Sequence, residues 1–503
     1  MGKRKEKGNL ESHKKVGSKL VAPFNDIPNR TSMSWLNDRL PCMMWGGLLI
    51  QRLGRDAAIE VFRQLSTELG EMYLAVERQD NLIPRIGLHG LSRLDNDMVD
   101  KYFEILGNTP ESKEALKPLK LFDCLPLAEK WAEFLDGTEV DDNDWNVLAA
   151  AASSILDHQS QEATDCRWAY LLTAIKADRM RLMNAEQYQE FEEYPHFGEQ
   201  RAVRPMIRST EMSLGGGLGD EGYLDGKKKF ADIFWAECKA KTDCVISKPV
   251  KFQPSYDVPA TVSNVDVCWR ELAAHFLNTD TMTQVQAKRD ASFGFGFYAL
   301  AVAREGLVTS GVMLTSKMSL RMLAEMYITF SYLIAAGDKK LWDVYRSFGS
   351  SQAKLTFLKL EEVIEDKPGY LKKEHIEQLA NEDIYMDFQD IPLGNWANID
   401  LRRMSIIGKC KNIYDSYYTW PSTFAHGQWC AVRDTAYTTC LNPLHRLHRV
   451  PLPSPRYEDQ TGSDIVLLVN KIFELVDSLY PGFKIQLSLE EIEITAEETV
   501  LDD

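Results

Sequence analysis

The sequence predicts an all-α protein with two helical domains. Apolar residues recur at intervals of three and four over most of the chain. Glycine and proline mark many of the expected helix ends, and they are frequent in one connection, 215–261. We therefore expect a flexible basic tail at 1–30, helical domains at 31–214 and 262–487, and an acidic tail at 488–503.

Composition excludes several classes of protein. With 503 residues, 44% hydrophobic and 26% charged, the chain has the make-up of a globular protein. A net charge of −16 argues against non-specific coating of nucleic acid. No run of 18 apolar residues predicts a membrane span, and the charged N-terminus lacks the apolar segment of a secretory signal. The nine scattered cysteines form no C-x-x-C pair, which favours reduced thiols in a cytoplasm.

The N-terminal domain is expected to begin with a helical hairpin. Pro41 suits a first helical turn, Gly54 ends the first helix, Asp56 caps the second and Gly70 ends it. The polar stretch 158–168 lies inside a later helix, and it predicts either a face lining a groove or a solvated face. Further helices are expected at 95–106, 110–119, 127–135 and 145–188.

Three arginines form a dense cluster after these helices. Arg201, Arg204 and Arg208 lie within eight residues of one another. Arginine forks bind phosphates in a bidentate manner, and they also clamp acidic helices, so both interpretations stay open. The glycine-rich stretch 215–222 resembles a phosphate loop but lacks the G-K-[ST] ending, and we expect a plain loop there.

No metal or cofactor is expected from the cysteine and histidine spacings. Cys238 and Cys244 lie six residues apart with no histidine nearby in sequence, which is a weak zinc signal. His445 and His448 would share a helical face, but no acidic residue near them completes a ligand set. Prolines follow them, and we expect an extended linker.

The central stretch carries a charged pair on an apolar helix. The segment 317–335 has apolar residues at helical spacing, and Gly337 ends it. Arg321 and Glu325 lie four residues apart on this helix. They form either a simple surface ion pair or a buried pair that faces a cleft. Arg346, on the following helix, would then join their network.

A second candidate site lies late in the chain. Pro421 breaks one helix and starts another, on which Ser422 and His426 lie four residues apart. A histidine beside a hydroxyl is the minimum for general acid–base chemistry near neutral pH. The alternative is a histidine packed among aromatic side chains and hydrogen-bonded to a neighbour.

Taken together, these residues resemble a known pattern. The region 265–479 resembles an uncharacterised group of bacterial all-helical proteins, which is in turn similar to the HEPN helical proteins. The pattern is R-x-x-x-E, then a Tyr-Arg pair, then S-x-x-x-H, found here as Arg321 and Glu325, Tyr345 and Arg346, and Ser422 and His426. HEPN nucleases carry R-x(4–6)-H on one helix, and no arginine precedes His426 at that distance.

The resemblance implies a metal-independent ribonuclease or RNA-binding effector in bacterial stress or antiviral defence. Its catalytic residues would be Arg321, Glu325, Arg346, Ser422 and His426. His426 would move the proton of the 2′-hydroxyl, and an arginine would stabilise the phosphorane charge. The alternative is a non-catalytic helical interaction or scaffold protein, with a partner protein or a second copy as its ligand. In that case the same residues form a buried polar network.

Overall fold

The structure is a computed structural model in which most of the chain is described. The described residues are 14–21, 34–75, 83–180, 185–196, 200–215, 221–247, 255–279, 286–309, 311–362, 369–382, 391, 394–454, 456–457 and 461–492. The chain divides into two compact units: unit 1 comprises 1–247 with 439–449, and unit 2 comprises 248–438 with 450–503. Helices make up most of both units, which confirms the all-α prediction.

Unit 1 contains the first ten α-helices of the described chain. They are α1 (Leu40–Leu53), α2 (Arg55–Ala75), α3 (Asn96–Gly107), α4 (Glu111–Leu116), α5 (Ala128–Phe134), α6 (Asn143–Leu156), α7 (Gln161–Lys176), α8 (Ala185–Glu193), α9 (Gln200–Gly215) and α10 (Glu221–Lys241). Within the stretch expected as a flexible tail, β1 (Lys14–Val16) and β2 (Lys19–Val21) form an antiparallel pair.

The hairpin of α1 and α2 follows the sequence signals only in part. Pro41 lies in the first turn of α1, and Gly54 ends that helix with a φ of 81°. The expected stop at Gly70 is wrong, because Gly70 lies inside α2. A Cβ there would lie 2.5 Å from Cβ of Lys176, so glycine serves the close packing of α2 on α7.

Aromatic side chains fill the core of unit 1. Trp45 lies edge-on to Phe62 and Tyr102, with ring centroids 5.2 and 5.9 Å apart. All three side chains are almost fully buried. Such edge-to-face pairs contribute about 0.5–1.5 kcal/mol each beyond the area that they bury. This packing holds α1, α2 and α3 together.

The part of the polar stretch that lies on α7 faces the interior, so a solvated face is wrong for 164–168, whereas His158 and Gln159 precede α7 and are exposed. Asp165 and Arg167 are buried. Asp165 accepts hydrogen bonds from Arg55 (2.7 Å), from Gln161 (3.0 Å) and from the hydroxyl of Tyr194 (2.7 Å). A buried carboxylate with this many donors is stable only as part of such a network.

Lys227 on α10 gives unit 1 a testable pH dependence. Burial lowers the pKa of Lys227 to about 8; Cys42 acts in the opposite direction, and Arg39 and Arg85 add to the effect of burial. An unfolded lysine has a pKa of about 10.4. Between these two values the unfolded chain holds a proton that the folded chain has lost, so raising the pH favours the folded state.

We therefore expect Lys227→Met to remove a stabilisation that the natural chain gains between about pH 8 and 10.5. The free energy of unfolding of the natural chain minus that of Lys227→Met should rise with pH by at most about 1.4 kcal/mol per pH unit. Urea unfolding across this pH range measures it. Lys228→Met, which changes an exposed neighbour on the same helix, is the control and should leave the slope unchanged.

Unit 2 contains the remaining α-helices of the described chain. They are α11 (Val258–Leu277), α12 (Ala287–Val308), α13 (Met313–Ala336), α14 (Lys339–Glu362), α15 (Lys373–Ala380), α16 (Leu401–Ile407), α17 (Lys411–Ile413), α18 (Thr419–Ala425), α19 (Trp429–Ala436) and α20 (Thr461–Leu479). The short strands β3 (Tyr437–Thr439) and β4 (Arg449–Pro451) pair with each other.

The long helix α13 is the centre of unit 2. It packs on α12, α16 and α20, and Gly337 ends it in the left-handed conformation, with a φ of 66°. Gly306 on α12 allows close packing, since a Cβ there would lie 2.7 Å from Cδ1 of Ile465 on α20. Among the described residues, no helix combines the length and apolar character needed to cross a bilayer.

Candidate functional site

The predicted charged pair on α13 is present. Arg321 and Glu325 form an ion pair of 3.3 Å, with side chains 21% and 43% exposed. The guanidinium of Arg321 also lies over the ring of Tyr418, 5.2 Å from its centroid. The pair is therefore neither a free surface pair nor a fully buried one, and one side of it is covered by an aromatic ring.

The chain from α16 to α18 runs antiparallel to α13. Gly408 lies against Ser331, and Tyr418 lies under Arg321. Further along, Phe424 clusters with Met313 at the start of α13. This register places α18, the helix that carries Ser422, beside the part of α13 that lies N-terminal to Arg321. We call the line formed by Arg321, Glu325, Tyr418 and Ser422 the α13–α18 seam.

His426 lies beyond the seam, at the end of α18. The helix ends at Ala425, and Gly427 turns the chain with a φ of 56°. His426 is exposed rather than packed among aromatic side chains. It follows Tyr418 by eight residues, a separation of about 12 Å along a helix axis. His426 therefore lies about two helical turns beyond Tyr418 along the chain.

Arg346 lies on α14 and is bonded to another carboxylate. It donates a hydrogen bond to Glu382 at 2.9 Å. Its neighbour Tyr345 packs between Phe295 and Trp396, with centroids 5.2 Å from each. Burial raises the pKa of Tyr345 to about 12, with further contributions from Tyr298 and Glu325. Tyr345 is thus close enough to Glu325 to feel the charge of that carboxylate.

The arginine cluster lies on α9 and belongs to unit 1. Arg204 donates to the backbone carbonyl of Gln159 at 2.8 Å, and the side chain of Arg201 lies outside the described residues. Arg208 is close enough to Arg167 to contribute, after burial and Arg39, to lowering the pKa of Arg167 to about 9. Binding of a phosphate by Arg201, Arg204 and Arg208 stays a prediction.

A groove in unit 2 was not predicted from the sequence. It has a volume of about 640 Å³ and lies between α11, α12 and α13. Its walls include Val265, Ala301, Val302, Met318 and Met322, and its polar residues include Asp266, Arg304, Glu305, Thr315 and Ser319. Two aromatic side chains in its lining, Trp269 and Tyr298, are 42% and 52% exposed. Met318 and Met322 lie four residues apart on one face of α13, but this spacing alone does not distinguish a groove from a core.

Comparison with known proteins finds a family match for part of the chain and no activity. Residues 303–438 match DUF5677, a family of unknown function. The DUF5677 match spans α13, α18 and every residue of the R-x-x-x-E, Tyr-Arg and S-x-x-x-H pattern. No curated protein and no solved structure matches the chain. The HEPN-like relationship therefore stays a prediction.

Four potential metal ligands lie together in unit 1, outside the DUF5677 match. They are Cys244, Cys440, His445 and His448, whose ligand atoms all lie within 4.8 Å of one another. In the sequence, Cys244 is distant from the two histidines, and neither group forms a ligand set alone. The missed signal was C-x4-H-x2-H at 440–448, which needs a fourth ligand from elsewhere in the chain.

Proposed function

We propose that this chain is a non-catalytic helical binding protein, and that unit 2 holds an amphipathic helix of a partner protein in the groove between α11, α12 and α13. The groove carries this proposal. Its volume of about 640 Å³ and its largely apolar walls are typical of a binding site. Exposed apolar surface of this kind is unusual unless something covers it.

The lining of the groove favours a helix over other ligands. Met318 and Met322 are flexible and polarisable, and methionines of this kind adapt to the apolar face of a bound helix. Trp269 and Tyr298 are exposed aromatic residues, the type that most often anchors an interface.

The charged residues at the groove determine which side chains are favoured beside the apolar face of the partner helix. The charge of Arg304 is already engaged by an ion pair with Asp266, which leaves Glu305 as the excess charge among these three residues. A partner helix with lysine or arginine beside its apolar face would therefore be favoured.

The geometry of the seam supports binding rather than catalysis. Arg321 is paired with Glu325, and Arg346 is bonded to Glu382. A general base must lie within hydrogen-bond reach of the proton that it takes, while an arginine stabilises the same phosphate. His426 follows Tyr418 by eight residues, a rise of about 12 Å on a helix, so its imidazole would have to reach back along α18 to act on a phosphodiester held by Arg321.

The test uses a labelled model peptide with a leucine-rich apolar face and a lysine-rich polar face. We expect Trp269→Ala to weaken its binding about 30-fold, the equivalent of a 2 kcal/mol anchor residue. Trp429→Ala is the matched control, since Trp429 is 64% exposed and lies outside the lining of the groove. Fluorescence anisotropy measures both, and the same peptide with glutamate in place of lysine should bind more weakly.

Equal weakening by Trp269→Ala and Trp429→Ala would contradict the proposal. So would binding of a small apolar dye in the groove without any binding of the peptide. That second result would identify the groove as a small-molecule site.

A metal-independent ribonuclease is the second candidate, and one observation favours it. The helix that carries Ser422, α18, packs on α13, the helix that carries the partly exposed Arg321. Total RNA from bacteria expressing the natural chain, His426→Ala or Arg321→Ala tests this candidate on a gel. Arg403→Ala, at an exposed position on α16, is the control.

The binding proposal predicts intact RNA in all four cultures. Cleavage by the natural chain and by Arg403→Ala that is lost in both folded site variants would overturn it in favour of the nuclease.

A further inference from the structure

Four thiol and imidazole side chains converge at one end of α10. Cys244 follows that helix, and Cys440, His445 and His448 come from the loop between β3 and β4. Sγ of Cys244 lies 3.3 Å from Nε2 of His448 and 3.5 Å from Nδ1 of His445. Sγ of Cys440 lies 3.5 Å from the same Nδ1 atom.

These separations fit the edges of a zinc tetrahedron. Zinc binds thiolate sulfur at about 2.3 Å and imidazole nitrogen at about 2.0–2.1 Å. Tetrahedral angles then put a sulfur and a nitrogen about 3.6 Å apart, and two sulfurs about 3.8 Å apart. The measured sulfur–nitrogen distances of 3.3–3.5 Å are close to the first value. Small shifts of the side chains would complete the geometry.

The surroundings of His445 prepare it to be a ligand. Its Nε2 lies 2.9 Å from Oγ1 and 3.2 Å from the carbonyl oxygen of Thr242. The hydroxyl of Thr242 donates a hydrogen bond to the carbonyl oxygen of Cys238 at 2.7 Å. Oγ1 of Thr242 therefore accepts the hydrogen bond from Nε2–H of His445. We assign the proton to Nε2 on this network, which leaves a lone pair on Nδ1, directed at the two thiols. Metal-binding histidines are normally held by such a second hydrogen bond.

The ligand loop is also held in a constrained shape. The backbone N–H of Cys440 bonds to the carbonyl of His448 at 2.9 Å. Between the two histidines, Arg446 and Leu447 adopt φ values of 52° and 51°. Left-handed backbone at such residues costs energy, and it persists where the surroundings hold it. The strained turn places His445 and His448 on the same side of the loop.

A backbone hydrogen bond brings the loop to the fourth ligand. The N–H of Leu441 bonds to the carbonyl of Val245 at 2.7 Å, next to Cys244. The side chain of Asn442 adds a bond to the carbonyl of Asp243 at 2.8 Å. The two segments of the site are thus joined on both sides of Cys244 without any ion.

We propose that Cys244, Cys440, His445 and His448 bind one zinc ion. Two thiolates and two imidazoles favour zinc over magnesium or calcium, which prefer oxygen ligands. The two thiolate charges balance the charge of the ion, so the complex, which includes the buried Cys440 and His445, has no net charge. Four protein ligands leave no open position, and the site is therefore structural rather than catalytic.

The ion joins segments that are far apart in sequence. Cys244 and His445 are separated by 201 residues. A metal link between them fixes the loop 440–448 to the end of α10 and restricts the unfolded chain, as a cross-link does. A pocket of about 250 Å³ lined by His445 and His448 lies beside the site and offers the ion a path of entry.

The zinc content of the full-length chain tests this proposal. The protein is produced with zinc, desalted in reducing buffer and measured by plasma mass spectrometry. We expect about one zinc per chain in the natural protein, and less than about a tenth of that in Cys440→Ser and His445→Asn. Cys124→Ser and His196→Asn change a cysteine and a histidine of unit 1 outside the ligand set, and both should retain the ion.

Cobalt substitution keeps the test decisive where a ligand variant fails to fold. The natural chain is stripped by a chelator and loaded with cobalt(II). We expect strong visible bands of a tetrahedral site and a thiolate-to-cobalt band in the near ultraviolet. Zinc retained by Cys440→Ser, or a natural chain with neither zinc nor cobalt bands, would overturn the proposal. A disulfide between Cys244 and Cys440 in the reduced preparation would overturn it as well.

Discussion

Replacing Glu211 with glutamine is expected to destabilise unit 1 by about 3–5 kcal/mol. Glu211 is 6% exposed and pairs with Arg39 and Arg167, whose side chains are each 3% exposed. Both guanidinium groups also lie over the ring of Trp35, with centroid distances of 5.2 and 4.2 Å. Removing the carboxylate charge leaves two buried cations facing each other, and cation–π contacts replace only part of the lost interaction.

Hydrogen exchange followed by mass spectrometry of peptides measures this effect in unit 1 separately from unit 2. Asp100→Asn is the matched control, because Asp100 pairs with Lys130 at 2.7 Å on the surface and should cost less than about 1 kcal/mol. Equal protection in the two variants would mean that water reaches the Arg39–Arg167 pair and screens its charges.

The fold could be predicted from the sequence where the signals are local. The apolar period of α13 and the stop at Gly337 depend on neighbours in sequence, and both were found. Gly70 shows the limit of this reasoning. A glycine that ends a helix and a glycine that lets two helices approach look the same in sequence, and only the position of Lys176 on α7 separates them.

The contacts of the candidate sites also divide into local ones, which the sequence predicts, and long-range ones, which it does not. Arg321 and Glu325 are four residues apart, so their contact follows from helix geometry alone. The partner of Arg346 is 36 residues away, and the contact of Arg321 with Tyr418 depends on how α18 packs. The Cys/His ligand set depends on two segments about 200 residues apart. Its local part was visible, but a single sequence offers no physical signal that selects Cys244 as the fourth ligand.

Replacing Phe330 with alanine is expected to destabilise unit 2 by about 3–5 kcal/mol. Phe330 is fully buried on α13. It stacks on Phe295 with centroids 4.9 Å apart and lies edge-on to Trp342 at 6.1 Å. Truncation removes these contacts and leaves a cavity between α12, α13 and α14, which the surrounding helices can close only in part.

The consequences of this substitution extend to function, because α13 carries one wall of the groove and one side of the seam. Phe330→Ala should increase exchange in peptides of α13 and weaken binding of the model peptide, although Phe330 does not line the groove. Phe330→Leu keeps most of the volume and should cost less than about 1.5 kcal/mol. Tyr370→Ala, at a position 82% exposed, should change neither measurement. Peptide binding that survives Phe330→Ala unchanged would show that the groove does not depend on the packing of α13, and the binding proposal would lose its structural basis.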